Sequence, residues 1–207
     1  MESRRFEQAV GLTEVLALPL VLLLGVLSLG YYLIVLPLLV LLGQRLRSVN
    51  SDLAALASLA GFGYVLVGAI GAALLALIDP RLMDQYVTGS PAQRQTIAVV
   101  FDAITRGVAG GLWNVLEQVL LAGGLIGMGA LVYRERRGLG PVGLAGGLFA
   151  LTDALGRMVD VAPLYTVGAL GTALLPVWLV WWGIELLRRP LQWPAQQLET
   201  TPMVRAG

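Results

Sequence analysis

Long apolar runs separated by short polar stretches make up most of this chain. Residues 15–43 contain no charged side chain, and further apolar segments occupy residues 53–78, 108–133, 138–159 and 161–184. A helix of about 20 apolar residues crosses the hydrocarbon core of a bilayer, which is about 30 Å thick. The pattern therefore predicts an all-α protein, an integral membrane helical bundle that forms one domain over residues 1–189.

The first apolar run is long enough for two interpretations. As one helix, residues 11–47 would extend about 55 Å, well beyond a hydrocarbon core. Two shorter spans fit the core if the chain turns near residues 28–30, because Gly30 can take the left-handed conformation that ends helices. With this hairpin the bundle has six transmembrane helices, at residues 11–29, 31–47, 53–78, 108–133, 139–159 and 163–187. A single tilted helix, kinked at Pro19 and Pro37, gives five.

All 14 basic residues are arginines, and most of them cluster at the ends of apolar segments. The clusters are Arg4 and Arg5, Arg45 and Arg47, Arg134, Arg136 and Arg137, and Arg188 and Arg189. Cytoplasmic loops of membrane proteins carry an excess of positive charge. Placing all four clusters on that side agrees with six alternating spans. It predicts that both termini are cytoplasmic and that residues 190–207 form a disordered cytoplasmic tail.

The polar stretch after residue 78 predicts a further, shorter helix. Ser90 is a suitable N-cap, with Pro91 at the first helical position and Gln93 completing a capping box. Apolar residues then recur at helical spacing, at Ile97, Val100, Phe101, Ile104 and Val108. Such a stripe predicts an amphipathic helix over residues 91–105 that lies on the outer membrane surface. The alternative is that this helix packs over the bundle as a lid and has no function of its own.

Local signals also predict helix ends and helix packing. Asn50 is expected to cap the helix that begins near Asp52, and Pro80 to follow its last turn. Glycines four residues apart favour close packing inside the bundle over dimerisation. These pairs are Gly107 and Gly111, Gly123 and Gly127, and Gly143 and Gly147. Tryptophans at the membrane boundary are expected at Trp178, Trp181, Trp182 and Trp193.

Composition removes several classes of site. The chain has no cysteine and no histidine, which excludes disulfides, thiol nucleophiles, Ser-His-Asp hydrolysis, His-ligated haem and the common zinc sites. We therefore predict no cofactor and no metal. The net charge of +1, with arginines at helix ends and not along one stripe, predicts no nucleic-acid partner. All-arginine usage favours a bacterial source, and the expected location is the bacterial cytoplasmic (inner) membrane.

Ionisable side chains at membrane depth form the candidate site. Glu117 lies two to three turns into the span 108–133, with Asn114 three residues earlier. Asp153 and Arg157 are four residues apart and share one helix face. The topology places these residues and Tyr165 in the outer half of the bilayer, with two acids and one base. We predict that they bind a ligand or ion, because the second carboxyl must be protonated, solvated or matched by a cation.

A purely structural arrangement uses the same residues. Asp153 and Arg157 then form an intrahelical pair near the headgroups, while Glu117 hydrogen-bonds a neighbouring helix and fixes packing. At the level of the sequence both interpretations stay open. Tyr31, Tyr32 and Thr152 are further hydrogen-bonding side chains expected at a similar depth.

The C-terminal half of the chain carries a resemblance. Its marks are WNVLEQ, with Asn114 and Glu117 early in a span, a basic turn that leads to Gly140 and Pro141, and the closing segment LLPVWLVWWGIELLRR. In these features the chain resembles a family of uncharacterised bacterial multi-pass membrane proteins, classified only as a domain of unknown function. The resemblance implies a six-helix bundle in the bacterial cytoplasmic membrane and implies no activity. Members usually have a sizeable loop after the first span, which is missing here.

Two classes of function compete. The first is non-enzymatic: an accessory subunit, or a binder or conduit for a small solute, ion or lipid that uses the outer polar cluster. The alternative is a membrane-embedded enzyme acting on a lipid or polyprenyl substrate, with Glu117 or Asp153 as general base. The chain lacks paired acidic motifs for divalent metal and a phosphate-binding glycine loop, which favours the first. Expected partners are the lipid bilayer and either a membrane-protein partner or a second copy of the chain.

Overall fold

Helices account for nearly all of the described structure. The computed structural model describes residues 26–135, 139–172 and 174–188, and no strand occurs in these ranges. The helices are α1 (Val26–Leu46), α2 (Ser51–Thr88), α3 (Pro91–Thr105), a π-helical segment (Arg106–Glu117), α4 (Gln118–Glu135), α5 (Gly140–Met158), α6 (Ala162–Thr172) and α7 (Leu174–Arg188). The all-α prediction is confirmed for this part of the chain. Most of the predicted span 11–29 and all of the tail 190–207 lie outside it.

The helices run up and down and pack into one bundle. Asn50 Oδ1 accepts a hydrogen bond from the Leu53 amide at 2.9 Å, so the predicted cap at the start of α2 is confirmed. At the same end of the bundle the Arg45 guanidinium lies 5.9 Å from the Trp182 ring, which brings α1 and α7 together. The core between the helices is filled by buried side chains that include Leu42, Leu46, Met128, Leu131, Trp178 and Trp182.

Small residues allow the helix backbones to approach closely. A Cβ atom added to Gly129 would lie 2.8 Å from the Leu144 amide nitrogen, and one added to Gly143 would lie 3.1 Å from the Gly129 Cα. A Cβ atom added to Gly127 in α4 would lie 2.7 Å from the Ala57 Cβ in α2. The predicted internal packing is therefore confirmed for the glycine pairs in α4 and α5. Gly107 and Gly111 have open space at the Cβ position, so packing is not their role in the described structure.

Four described helices are long and apolar enough to cross a membrane, judged by length and composition. They are Val26–Leu46, Ser51–Thr88, Pro91–Arg134 and Ala162–Ile184. The predicted span 139–159 corresponds to α5, which is antiparallel to α4 but is not among these four. Its sequence is rich in glycine and includes Asp153 and Arg157, which lowers its mean hydropathy.

Two predicted helix ends are wrong. Residues 28–30 are helical within α1, and Gly30 has no positive φ angle, so the chain does not turn there. Whether the first apolar run crosses once or twice depends on residues that precede 26, which are outside the described ranges. Helix α2 also continues through Pro80 to Thr88. An interior proline costs about 3 kcal/mol, and the turns of α2 that follow it contact α3 with Leu82 and Met83 half-buried.

The helix predicted over residues 91–105 is confirmed as α3, but it is not a separate helix, and its placement on the outer membrane surface stays a prediction. The Ser90 amide donates to Gln93 Oε1 at 2.8 Å, as the capping box requires. Helix α3 then passes without a break into the π-helical segment and α4, and the whole helix spans Pro91–Arg134. Its apolar residues Ile97 and Phe101 face the end of α2 at Leu82 and Met83. Contact between the two long helices covers only part of the stripe, because Ile97 and Ile104 are half-buried whereas Val100 and Phe101 are exposed.

Two of the predicted interfacial tryptophans lie in the core. Trp178 is buried and Trp182 has no exposed surface, whereas Trp181 is exposed. Trp193 lies outside the described ranges. The Trp178 ring fills the space left by Gly143 on α5. Helical spacing alone does not separate Trp181 from Trp182, because the direction of each ring depends on where the neighbouring helices pack.

The close approach of α4 and α5 predicts a strong response to one added methyl group. Gly129→Ala forces the new Cβ against the α5 backbone, and we expect it to lower the free energy of unfolding by about 1–3 kcal/mol. Gly183→Ala is the matched control, because Gly183 has open space at the same atom. In a helix this change is expected to stabilise by about 0.5–1 kcal/mol. Denaturation in detergent micelles measures both, and equal effects would contradict the packing.

Candidate functional site

Glu117 is a buried carboxyl that is held by a tyrosine from another helix. It is the last residue of the π-helical segment and its side chain is only 5% exposed. The Tyr32 hydroxyl of α1 donates a hydrogen bond to Glu117 Oε1 at 2.7 Å. A hydrogen bond to a carboxylate is stronger than one between neutral groups. This contact therefore ties α1 to the long helix that contains Glu117.

Two more tyrosines surround this hydrogen bond. The hydroxyls of Tyr31 and Tyr64 lie 3.0 Å apart and are hydrogen-bonded. The Tyr32 ring packs edge-on against both, with centroids 5.2 Å from Tyr31 and 5.7 Å from Tyr64. We call Tyr31, Tyr32, Tyr64 and Glu117 the Glu117 cluster. It joins α1, α2 and the π-helical segment through one carboxyl and three phenol hydroxyls.

Glycines on α2 make room for the aromatic rings near the cluster. A Cβ atom on Gly68 would overlap the Tyr32 ring, and one on Gly71 would overlap the Trp113 ring. The Trp113 indole N–H donates to the Gly68 carbonyl at 3.2 Å. Trp113 therefore fixes the π-helical segment against α2 one turn before Glu117. The sequence signal for this arrangement is the pair of glycines on a span that also contains Tyr64.

Asp153, Arg157 and Tyr165 form a second polar group. The Arg157 Nε donates to Asp153 Oδ1 at 2.9 Å within α5. The Arg157 guanidinium lies 5.2 Å from the centre of the Tyr165 ring on α6. Asp153 is buried at 3% exposure, and Gly168 on α6 leaves space for its backbone. We call these three residues the Arg157 group, in which the acid and the base neutralise each other.

The two groups lie at the same level of the bundle but on different faces. Gly143 lies opposite Gly129, and Gly147 lies opposite Ile126. The antiparallel register that they define places Glu117 level with residue 155, midway between the acid and the base of the Arg157 group. Within the described residues, no hydrogen bond or ion pair joins Glu117 to Asp153 or Arg157. The predicted shared depth is right, while the predicted single cluster is wrong.

The predicted site residues therefore separate. Asp153, Arg157 and Tyr165 come together, whereas Glu117 lies with Tyr32, which the sequence placed only at a similar depth. Asn114 is half-buried on the π-helical segment and has no side-chain hydrogen bond to another described residue. The sequence analysis did not identify Tyr64. Only the packing of α1 against α2 brings the Tyr64 hydroxyl to Tyr31.

Charge compensation differs between the two acids. Asp153 has Arg157, which is the pairing that the structural interpretation predicted. Glu117 also hydrogen-bonds a neighbouring helix, as that interpretation expected, but it has no basic partner among the described residues. The same part of the chain contains no cluster of three metal-binding carboxylates, histidines or cysteines. Glu117 is therefore the buried acid whose charge this part of the protein leaves uncompensated.

Comparisons with protein-family models, with curated proteins and with solved structures find no match to this chain.

The Arg157 group predicts that breaking the ion pair destabilises the protein. Arg157→Met strands the buried Asp153, and we expect a loss of about 3 kcal/mol of unfolding free energy. The control is Arg106→Met, because Arg106 forms the same i,i+4 pair with Asp102 at 2.9 Å but both side chains are exposed. That loss should be about 0.5 kcal/mol.

A double variant separates charge from packing in the same group. Asp153→Asn combined with Arg157→Met removes the stranded charge, so it should recover most of the stability that Arg157→Met loses. Denaturation in detergent micelles measures each variant. Additive losses in the double variant would contradict an ion pair between these residues.

Proposed function

We propose that this chain is a non-enzymatic integral membrane protein of the bacterial cytoplasmic membrane that binds a small cation, a proton included, at Glu117. The observation that carries the proposal is the buried Glu117 carboxyl, which accepts a hydrogen bond from Tyr32 and has no basic partner in the described residues. In this proposal the bundle has six spans and both termini are cytoplasmic. If residues 11–47 form one helix, the bundle has five spans and the N-terminus lies outside.

The surface of the bundle supports the placement in a membrane. Large apolar side chains point outward, with 78% of Ile34, 70% of Leu59 and 72% of Leu170 exposed. Lipid covers such surfaces, whereas a soluble monomer rarely leaves large contiguous apolar patches in water. Arg45, Arg47, Arg134 and Arg188 belong to the helix ends at one end of the bundle, which suits a cytoplasmic side.

Helix lengths support an outer extension in the same proposal. Helix α2 has 38 residues and the helix Pro91–Arg134 has 44, so they are about 57 and 66 Å long. Both exceed a hydrocarbon core of about 30 Å. Since the Ser51 end of α2 and the Arg134 end of the other helix lie on the proposed cytoplasmic side, the connection at Gly89 and Ser90 extends beyond the outer face.

The chemistry of Glu117 supports binding of a cation. Moving an isolated ionised carboxylate out of water costs several kcal/mol even after relaxation. A hydrogen bond from Tyr32 recovers part of that cost, and a bound positive charge recovers more. The Tyr32 hydroxyl contacts the carboxyl directly, and the Tyr31 and Tyr64 hydroxyls of the same cluster hydrogen-bond each other. A purely structural contact with Tyr32 needs only a neutral acceptor, which Gln provides without the charge.

The π-helical segment supports a functional role at the same position. Such helices are rare, and short π segments are frequent at functional sites. Here twelve residues of this geometry end at Glu117. Since the geometry of a π turn differs from that of an α turn, the segment determines the direction in which Glu117 projects.

The resemblance to a bacterial family of unknown function stays a prediction. The expected partners, which are the lipid bilayer and either a membrane protein or a second copy of the chain, also stay predictions. The alternative of a lipid-processing enzyme requires a free general base. Asp153 is occupied by Arg157 at 2.9 Å, which leaves Glu117 as the candidate base of that alternative.

Reporter fusions test the proposed topology. A cytoplasm-active reporter fused ahead of Met1 and another fused after Gly207 should both be active, because every arginine cluster then lies inside. Fusions in the segment at Gly89 should be active only with a periplasmic reporter. An external N-terminus together with an internal C-terminus would establish five spans, and a cytoplasmic Gly89 would overturn the orientation.

Thermal unfolding in detergent tests the proposed binding. We expect that H⁺, Na⁺ or K⁺ raises the melting temperature of the native chain, because a ligand at 100 times its Kd stabilises by about 2.7 kcal/mol. Glu117→Gln keeps an acceptor for Tyr32 and should abolish this response. Asp102→Asn, which alters an exposed acid, should keep it. Identical responses of the native chain and Glu117→Gln to all three ions would contradict the proposal.

A further inference from the structure

The Glu117 cluster has fewer available oxygen ligands than a metal-ion site. Hard cations such as Mg²⁺ and Ca²⁺ take about six to eight oxygen ligands. The cluster offers one carboxyl and three hydroxyls, and the Tyr31 and Tyr64 hydroxyls are already hydrogen-bonded to each other at 3.0 Å. The Tyr32 proton points at Glu117 Oε1. A proton, in contrast, requires a single oxygen, and Oε2 accepts no hydrogen bond from another described residue.

The groups that face Glu117 provide no positive charge. Helix α1 contributes Tyr31 and Tyr32, and α2 contributes Tyr64. Helix α5 also packs against the π-helical segment, and its Asp153 and Arg157 neutralise each other. The pKa of free tyrosine is about 10, so these hydroxyls stay neutral under physiological conditions. The carboxyl is then the one group of the cluster that exchanges a proton.

We propose that the ligand of Glu117 is a proton, and that the Glu117 cluster is a proton-binding site inside the bundle. This inference rests on the proposed cation-binding function and names the cation. In the binding step a proton from water forms an O–H bond at Oε2, and the carboxylate becomes a neutral carboxylic acid. The Tyr32 hydroxyl keeps its hydrogen bond to Oε1 in both states. No electron is transferred, and release of the proton reverses the step.

Tyr32 has a positioning role in this site. Its hydroxyl fixes one carboxyl oxygen at 2.7 Å, so the other oxygen is the one that gains the proton. Gly68 is needed for the position of the ring, since a Cβ there would overlap Tyr32. Tyr31 is half-buried, whereas Tyr32, Tyr64 and Glu117 are buried. Tyr31 is therefore the least buried member of the cluster.

Infrared spectroscopy of the full chain in lipid nanodiscs tests this inference. The carbonyl stretch of a protonated carboxyl is distinct from that of a carboxylate. We expect a protonated-carboxyl band at neutral pH that is absent in Glu117→Gln and kept in Asp102→Asn. In Tyr32→Phe the band should shift, because the hydrogen bond to Oε1 is lost. A merely structural Tyr32 would change stability without moving that band.

The outcomes separate this inference from the proposed function. If Na⁺ or K⁺ stabilises the native chain but not Glu117→Gln, and the carboxyl band is absent at neutral pH, the proton inference is wrong and cation binding stands. If neither pH nor a metal cation changes the stability of the native chain and of Glu117→Gln differently, the proton inference and the proposed cation binding are both wrong. Should Glu117→Gln fail to fold, the Tyr32→Phe shift decides, and an unshifted band would overturn the inference.

Discussion

The close approach of the helix backbones is the constraint on which the rest of this structure depends. At Gly129 and Gly143 the α4 and α5 backbones lie so near that one methyl group does not fit between them. In the bilayer that we propose surrounds the bundle, lipid tails are as apolar as the side chains, so the hydrophobic effect would not hold the helices together. Dispersion contacts at short range replace it. These contacts need small residues at the crossing points.

This packing also determines which side chains meet. The register of α4 against α5 puts Glu117 level with Asp153 and Arg157, and yet the rotation of the helices points Glu117 toward α1 and α2. Gly68 then admits the Tyr32 ring and Gly168 admits Asp153. Each polar group is thus bounded by a glycine on the facing helix. The glycines are part of the polar sites although they contribute no polar side chain.

The two buried acids represent two solutions to one electrostatic problem. Asp153 has a cationic partner on its own helix, four residues away, and this solution is local. Glu117 has the phenol hydroxyl of Tyr32 from another helix, and this solution requires the assembled bundle. A neutral partner reduces the cost of a buried carboxylate less than a cation does. That difference is the physical basis for proposing that Glu117, and not Asp153, binds a proton.

Much of the fold follows from the sequence because it depends on local chemistry. Apolar length predicts the helices, Asn50 and Gln93 predict their starts, and spacing by four predicts the Asp153–Arg157 pair. The predicted ends failed because one local signal does not by itself end a helix. Helix α2 continues past Pro80 into turns that contact α3, and α3 continues into the π-helical segment, where no proline interrupts the helix.

The sequence by itself determined that the chain is helical, which segments are apolar, and that two acids and one base lie at similar depth. Only the tertiary structure decided that Glu117 faces Tyr32 and that Trp182 is buried while Trp181 is exposed. The reason is geometric. Depth along a helix is set by residue number and the rise per residue, whereas the direction of a side chain around the bundle is set by which small residues let the neighbouring helices approach.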